Sequence, residues 1–365
     1  MKVLLLGGTG TLSTAICKLA IQNGIRVSVL NRGNNNCKLP SGVQIFVGDF
    51  KDEDSLRSCL SDGSFDVVVD FLSRIPSDIE RVYSIFANFC RQYIFISSSC
   101  VYCRAVEDFP ITETSPKPNT LWKYNIEKYE CEQKLIELAS KSQSYYTIVR
   151  PYITYNEERI PFGLAPAYKY HKTIIERLKA GKPWFTWDNG LAHTTVTFSD
   201  DFAEGVVGLF QNEKAINEDF HITSNFCYTQ IELIEKVFMQ LSLKPNVISF
   251  LSDEIGTILP EYHDMLKGDR SLDAVFDNSK IKNAVPGLTF KTSFDEGIKK
   301  VISFWDGTQP VYDYSFDARI DKLLSKKGIK VGYMRYPGAD KKSLIVYVLY
   351  RYFPLRIANI LHRWI

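Results

Sequence analysis

The chain has 365 residues, of which 45% are hydrophobic, and this is enough for a main domain and a smaller second one. Its formal net charge is only +2, but the segment 308–365 holds 11 Lys and Arg against 4 Asp and Glu, a net of +7. A mildly acidic body with a basic aromatic tail is not typical of a nucleic-acid-binding protein, in which positive charge lines the working face.

Short apolar segments alternate with amphipathic ones over the first 150 residues. Because most of the apolar segments are continuously hydrophobic, they indicate parallel strands that are covered on both faces. We therefore predict an α/β fold, a Rossmann-type doubly wound parallel sheet with a smaller C-terminal substrate domain. Strands are predicted at 3–6, 25–30, 43–47, 65–71, 93–97 and 146–150, and helices at 11–23, 52–61, 77–90 and 121–140.

After residue 151 the pattern loosens, and Pro and Gly residues separate shorter segments. A helix is predicted near 167–179, and a strand at 196–198 with a helix at 202–210 is predicted to return to the sheet. The predicted domains are a dinucleotide-binding domain over 1–160, to which 190–212 returns, a mainly substrate-binding domain over 161–305, and a basic aromatic extension over 306–365.

A glycine-rich turn follows the first predicted strand and reads Gly7-Gly8-Thr9-Gly10-Thr11-Leu12-Ser13. In a dinucleotide site, Gly7 permits a tight turn and Gly10 lets the backbone approach a pyrophosphate. The next helix then directs its N-terminus at that negative charge. Glycine-rich turns also serve plain geometry, so the strand–turn–helix context carries this interpretation.

The end of the second strand bears on the choice of cofactor. A carboxylate there would bind a ribose 2′-hydroxyl, whereas an arginine favours a 2′-phosphate. This strand ends Leu30-Asn31-Arg32-Gly33, without an acid. Arg32 can form a charge-assisted fork to phosphate and Asn31 can donate to it, which favours NADP over NAD. The alternative is that Arg32 stacks on adenine or faces solvent.

Tyr124 and Lys128 are four residues apart on a predicted helix, so the phenol and the ammonium lie on one face. An ammonium and an oxidised nicotinamide both stabilise a phenolate, and the pair therefore suits proton exchange with an alcohol. Tyr168 and Lys172 have the same spacing outside the nucleotide-binding sheet, and we interpret them as surface charge and packing.

Three serines, Ser97-Ser98-Ser99, close the strand at 93–97. Ligands of open parallel sheets bind outside the carboxyl ends of the strands, where these hydroxyls would lie. One of them can bind a substrate oxygen beside the tyrosine. The alternative is that the serines satisfy local backbone groups.

With these three motifs, the chain resembles the extended short-chain dehydrogenase/reductase superfamily over about residues 1–305, especially its nucleotide-sugar epimerase/dehydratase branch. Further likeness lies in three segments. Gly48-Asp49-Phe50 is similar to the adenine-contacting segment, Asp70-Phe71-Leu72-Ser73 to the loop under the pyrophosphate, and Arg150-Pro151, followed by Tyr155, to the strand end beside the nicotinamide.

The resemblance implies a role for each matching residue. Tyr124 would be the catalytic acid/base, Lys128 would hold the nicotinamide ribose, and Ser98 would be the hydroxyl partner, with Ser99 the alternate. No metal is implied. The implied cofactor contacts are Gly7, Thr9, Gly10, Thr11, Leu12, Asn31, Arg32, Asp49, Phe50, Leu72, Lys128 and Pro151.

Departures from the family pattern narrow the expected reaction. Ser99-Cys100 stand where sugar dehydratases of this family carry an Asp-Glu pair, which disfavours a dehydratase. The arginine often found near the equivalent of 193–195 is absent. We expect an NAD(P)-dependent nucleotide-sugar epimerase acting at C4. The alternatives are an NADPH-dependent nucleotide-sugar ketoreductase and a non-catalytic dinucleotide-binding scaffold docked through its tail.

The segment 343–365 reads SLIVYVLYRYFPLRIANILHRWI, and Arg351, Pro354 and Arg356 interrupt it before it reaches the length of a membrane span. Its basic and aromatic residues suit peripheral contact with a membrane interface. The alternative is a helical arm that packs on its own subunit or on the partner in a homodimer. Apart from Cys100 and Cys103, the cysteines lie singly along the chain. They indicate a reduced, cytoplasmic protein, placed peripherally at the inner face of a membrane if the tail binds lipid.

Overall fold

The computed structural model describes residues 1–104, 109–309 and 311–365. Its strands are β1 Lys2–Leu6, β2 Arg26–Asn31, β3 Gln44–Val47, β4 Phe65–Asp70, β5 Cys90–Ile96, β6 Tyr145–Pro151, β7 Thr154–Tyr155, β8 Trp184–Trp187, β9 His193–Thr195, β10 Thr197–Phe198, β11 Glu218–Ile222, β12 Cys227–Thr229 and β13 Val247–Phe250.

Helices alternate with these strands, and the first begins directly after the glycine turn. They are α1 Thr11–Gln22, α2 Glu53–Ser58, α3 Pro76–Phe86, α4 Lys123–Ala139, α5 Lys172–Lys179, α6 Ser199–Gly208, α7 Gln230–Gln240, α8 Ser252–Gly256, α9 His263–Met265, α10 Ser279–Ala284, α11 Phe294–Asp306, α12 Tyr314–Ser325, α13 Lys341–Tyr352 and α14 Leu355–His362.

The described chain divides into two compact units. The first contains 1–156, 195–227 and 274–293, and the second contains 157–194, 228–273 and 294–365. Compared with the predicted division, the first unit also takes 213–227 and 274–293. The second unit includes 306–365, which is predicted from the sequence as a separate extension.

A parallel sheet of seven strands, counted within the described residues, forms the first unit in the order β11-β6-β5-β4-β1-β2-β3. The chain order reverses between β1 and β4, as in a doubly wound fold. The predicted fold class is therefore confirmed.

The seventh strand is not the predicted one. The segment predicted at 196–198 forms β10, which pairs with the short β7 beyond the end of β6. The free edge of β6 is instead taken by β11, whose five residues pair with Thr147–Pro151. The boundary between α3 and β5 also differs, because Cys90 pairs with Phe65 and begins the strand.

The two faces of the sheet are both apolar, as β1 illustrates. Val3 and Leu5 pack into the cluster that contains residues of α1 and α6, such as Ile16 and Phe202. Leu4 and Leu6 pack into the opposite cluster, built with residues of α3 and α4. Because side chains alternate along a strand, a continuously apolar strand is needed to fill both layers.

The second unit is held together by a buried cluster of charges. Arg177 of α5, fully buried, contacts Asp317 and Asp321 of α12 at 2.6 Å each. Lys182 contacts the same two carboxylates at 3.2 and 2.8 Å. Tyr347 of α13 donates its hydroxyl to Asp321 at 2.6 Å. The start of the extension is therefore part of the interior of this unit.

Lys172 is also buried in this unit, so the interpretation of this lysine as a surface charge is wrong. Its Nζ donates to the carbonyl of Trp305 at 2.9 Å and contacts Asp306 at 3.3 Å. Tyr168, its partner in the sequence pattern, is 44% exposed.

No helix among the described residues combines the length and the apolarity needed to cross a bilayer.

Candidate functional site

The glycine turn after β1 has one strained position, one packed position and one open position. Gly7 has φ +91°, a conformation that L side chains rarely adopt. A Cβ on Gly8 would lie 2.4 Å from Val29, so this glycine allows the turn to pack closely against β2. A Cβ on Gly10 would meet only the hydroxyl of Ser13, at 3.5 Å. The third glycine therefore borders open space at the start of α1.

The first residues of α1 offer backbone donors at this open space. The helix begins at Thr11, and its first N–H groups have no carbonyl partner within the helix. Ser13 accepts the N–H of Gly10 at 3.0 Å, which fixes the turn. Thr11 and Leu12 then present their N–H groups at the positive end of the helix dipole. This arrangement fits a pyrophosphate.

Asp70, the last residue of β4, shapes the loop that supports the turn. Its carboxylate is fully buried and accepts the N–H groups of Leu72 at 2.8 Å and Ser73 at 3.0 Å. It also accepts the hydroxyls of Ser73 and Tyr93. The Leu72 side chain lies against the turn, 2.9 Å from the position of a Cβ on Gly7. Of this loop, the resemblance implies a cofactor contact for Leu72 alone, whereas the structure shows that Asp70 holds the loop in place.

Asn31 ends β2 beside the glycine turn, and Arg32 follows it directly. The amide oxygen of Asn31 accepts the N–H of Gly33 at 2.7 Å, while its buried Nδ2 has no acceptor within the described residues. Arg32 is exposed and forms no ion pair with any part of the chain that the structure describes. A buried unsatisfied donor beside an uncommitted guanidinium suits an added phosphate or ribose.

The residues expected near adenine follow β3. Asp49 is exposed, and its carboxylate accepts the N–H of Lys51 at 2.9 Å. The Phe50 ring lies 5.2 Å from the guanidinium of Arg81. Pro151 ends β6 at the same carboxyl edge of the sheet. Contacts of these three residues with a cofactor stay predictions.

The three serines after β5 have different partners. Ser97 donates to Glu132 at 2.5 Å, and Ser99, fully buried, donates to the carbonyl of Arg150 at 3.0 Å. The Ser98 hydroxyl accepts the N–H of Cys100 at 3.3 Å, and its own proton has no acceptor in residues 1–104, 109–309 or 311–365. Two of the serines therefore satisfy local groups, and Ser98 is the one with a proton to offer a ligand.

Lys128 is held at the carboxyl edge of the sheet by two carbonyls. Its Nζ donates to Ser73, in the loop after β4, at 2.9 Å and to Ile96, the last residue of β5, at 3.1 Å. It also lies 4.6 Å from the centre of the Phe95 ring. An ammonium has three protons, so these two bonds leave one for a ligand. Burial lowers the pKa of Lys128.

Tyr124 lies in the first turn of α4, one helical turn before Lys128. Its ring is half-buried and packs against Trp122, with the ring centres 4.7 Å apart. The helix thus presents the phenol on the face that carries the buried ammonium.

An ion pair missed by the sequence analysis fixes α4 against the sheet. Glu132, one turn after Lys128, binds the guanidinium of Arg150 through two bonds of 2.8 and 2.7 Å. Both side chains are buried. Since Glu132 also accepts Ser97, this pair joins α4, the serine loop and β6. In the sequence, this role of Glu132 is indicated only by its position four residues after Lys128, on the same helix face.

The model of the NAD dependent epimerase/dehydratase family matches residues 3–223. The chain is 27% identical over 235 residues to the chloroplast stem-loop binding protein of 41 kDa b from Arabidopsis thaliana, an alignment that covers 61% of this chain but only 58% of that protein. It is 22% identical over 286 residues to 2′-dehydrokanamycin reductase from Streptomyces kanamyceticus, covering 78% of this chain and 79% of that enzyme.

The structure is similar to that of UDP-glucose 4-epimerase from Thermus thermophilus, which was solved in complex with NAD. The TM-score is 0.68 at 17% identity, over 85% of this chain and 100% of that one. This likeness confirms the extended short-chain dehydrogenase/reductase fold. Since the family model matches more than half of the chain, including the glycine turn, the serine loop and α4, the chain belongs to the NAD dependent epimerase/dehydratase family.

Proposed function

We propose that the chain is an NAD(P)-dependent nucleotide-sugar epimerase acting at C4. The observation that carries this proposal is the placement of Lys128. Its carbonyl partners belong to β5 and to the loop after β4, and that loop lies against the glycine turn through Leu72. Tyr124 on the same helix face is thereby directed to the edge of the sheet where a dinucleotide would lie.

The proposed chemistry is a reversible oxidation of a sugar hydroxyl. A bound nicotinamide would supply the acceptor for the hydride. Tyr124 takes the hydroxyl proton and later returns it, while Lys128 stabilises the phenolate and holds the ribose. Ser98 donates its proton to the sugar oxygen and so orients it. With the hydride returned by that cofactor to the other face of the ketone, C4 would be inverted without net use of the cofactor.

Within the second unit, Arg159 and Arg270 form a group of positive charge. Arg159 lies 5.0 Å from the Tyr168 ring, and Trp187 donates to the carbonyl of Arg270 at 2.9 Å. Burial lowers the pKa of Arg159, and the nearby charge of Arg270 lowers it further. Asp269 compensates part of this charge, at 2.7 Å from Arg270. A diphosphate near both arginines would relieve the repulsion.

The reaction is tested by incubating the protein with NAD or NADP and a panel of UDP-, GDP-, CDP- and dTDP-sugars, with the free sugars as controls. The epimerase is expected to convert a nucleotide sugar to its C4 epimer with no lasting change in absorbance of the reduced nicotinamide. Free sugars should not react, because they lack the diphosphate. Lasting, stoichiometric accumulation of the reduced cofactor would contradict epimerisation.

The second candidate is an NADPH-dependent ketoreductase. The similarity to 2′-dehydrokanamycin reductase covers 79% of that enzyme, and the end of β2 carries Arg32 rather than an acid. A reductase uses the same tyrosine, with Tyr124 giving its proton to the alkoxide as the ketone is reduced.

Arg32→Asp is expected to shift the cofactor preference from NADP towards NAD by at least ~10-fold in the ratio of binding constants. The substitution replaces a phosphate ligand with a carboxylate that repels the 2′-phosphate and accepts a ribose hydroxyl. Titration of both cofactors by fluorescence measures the ratio. Arg26→Asp, at the exposed start of the same strand, is the matched control. An unchanged ratio would show that Arg32 does not contact the 2′-phosphate.

A further inference from the structure

The outer face of α13 is apolar, although this helix already packs on the second unit with its other face. Tyr347, Leu349 and Tyr350 are buried against α12 and its neighbours. Successive residues of a helix are about 100° apart, so the exposed apolar residues of α13 form one stripe opposite this buried face. The stripe consists of Leu344, Ile345, Val348 and Tyr352.

The next helix, α14, repeats this arrangement. Its inner side is fixed by Ala358, which is buried, and by Tyr350, whose hydroxyl contacts Asn359 at 2.8 Å and His362 at 3.0 Å. The opposite side carries an exposed apolar stripe with i, i+3, i+4 and i+7 spacing. Its members are Ile357, Ile360 and Leu361, and the stripe continues with Trp364, which follows two residues after the end of α14 and is 86% exposed.

Positive charge flanks both stripes. The segment 341–365 contains five Lys and Arg and no Asp or Glu. Arg356 and Arg363 are about 20° apart on the helix and lie along one edge of the α14 stripe. An apolar stripe bordered by cations is the pattern of a helix that lies in the plane of a membrane interface. An exposed Trp at its end suits the headgroup region.

We propose that the outer faces of α13 and α14, defined by the two stripes above, dock on an anionic lipid surface. In this arrangement both helices lie along the surface, the apolar side chains enter the boundary of the acyl chains, and the arginines reach the headgroup phosphates. The inner faces keep their contacts with the second unit. The enzyme would therefore be held at the membrane by rigid helices of its own folded domain.

The charge of these helices favours lipid over a second copy of the chain. Docking two copies through the same face would bring together two surfaces whose charged side chains are all positive. Like charges placed opposite each other oppose association, whereas anionic headgroups complement them.

The test uses the full chain mixed with vesicles of phosphatidylcholine, alone or with phosphatidylglycerol. The protein is expected to sediment with the anionic vesicles and to be released by salt. Ile360→Glu combined with Trp364→Glu should lower the bound fraction at least ~10-fold, because two charges enter the apolar stripe. Both side chains are exposed, so the melting temperature should be unchanged. Met239→Glu, at a 57% exposed apolar site on α7, is the matched control and should bind normally.

The contribution of charge is tested with Arg356→Gln combined with Arg363→Gln, which should lower binding to anionic vesicles at least ~10-fold. Failure of the full chain to sediment with anionic vesicles would overturn the proposal, as would equal binding by the Glu variant. The oligomeric state of the same proteins is measured by light scattering. If the chain is a dimer and the Glu substitutions dissociate it, the outer faces bind a second copy of the chain instead of lipid. Point variants are preferred to deletion of the segment, because Tyr347 contributes to the buried charge cluster.

Discussion

Tyr124→Phe is expected to lower turnover at least ~100-fold while leaving cofactor binding and the melting temperature unchanged. The substitution removes only the hydroxyl that exchanges the proton, and general acid–base catalysis by one side chain contributes on this scale. The ring still packs against Trp122. Steady-state rates with the nucleotide sugar that reacts in the panel measure the effect, and the fluorescence titration measures cofactor binding.

Tyr129→Phe is the matched control, since Tyr129 is a half-buried tyrosine on the same helix and is not placed in the site. It should retain the activity of the original chain. A Tyr124→Phe variant with unchanged turnover would contradict the assignment of the acid/base. Binding of the dinucleotide without turnover of any substrate would instead favour a non-catalytic scaffold.

Arg177→Met is expected to lower the free energy of unfolding by about 3–5 kcal/mol, because it leaves Asp317 and Asp321 buried with Lys182 as their remaining cation. Urea unfolding followed by tryptophan fluorescence measures the loss. The released contacts join α5 to α12, so amide exchange should increase in both helices.

Lys179→Met provides the comparison on the same helix. Lys179 is 40% exposed and contacts Asp306 at 3.4 Å, so the loss should be at most ~1 kcal/mol. Equal effects of the two substitutions would show that the buried cluster does not stabilise the second unit.

The core of the fold could be predicted because its signals are local. A continuously apolar β1 followed by Gly7 and Gly10 indicates a buried strand and a tight turn whatever lies elsewhere in the chain. The strand β11 could not be predicted in this way, since it reads Glu218-Asp219-Phe220-His221-Ile222. Its charges are compensated from a distance, as when Arg150 contacts Asp219 at 2.5 Å.

The same distinction applies to the site. Spacing alone places Tyr124 and Lys128 on one helix face, but it does not show which atoms hold the ammonium. Those atoms are the carbonyls of Ser73 and Ile96, 55 and 32 residues away in the chain. The prediction that Lys172 is a surface charge is wrong for the same reason, because its partner carbonyl belongs to Trp305. Long-range backbone partners leave no periodic pattern in a sequence.

The most direct measurement is a crystal structure of the protein with the oxidised cofactor and an unreactive nucleotide sugar. The hydroxyls of Tyr124 and Ser98 should both lie within hydrogen-bonding distance of the sugar oxygen at C4, with Lys128 bound to the nicotinamide ribose. A cofactor held elsewhere, or a phenol directed away from the sugar, would contradict the proposed site.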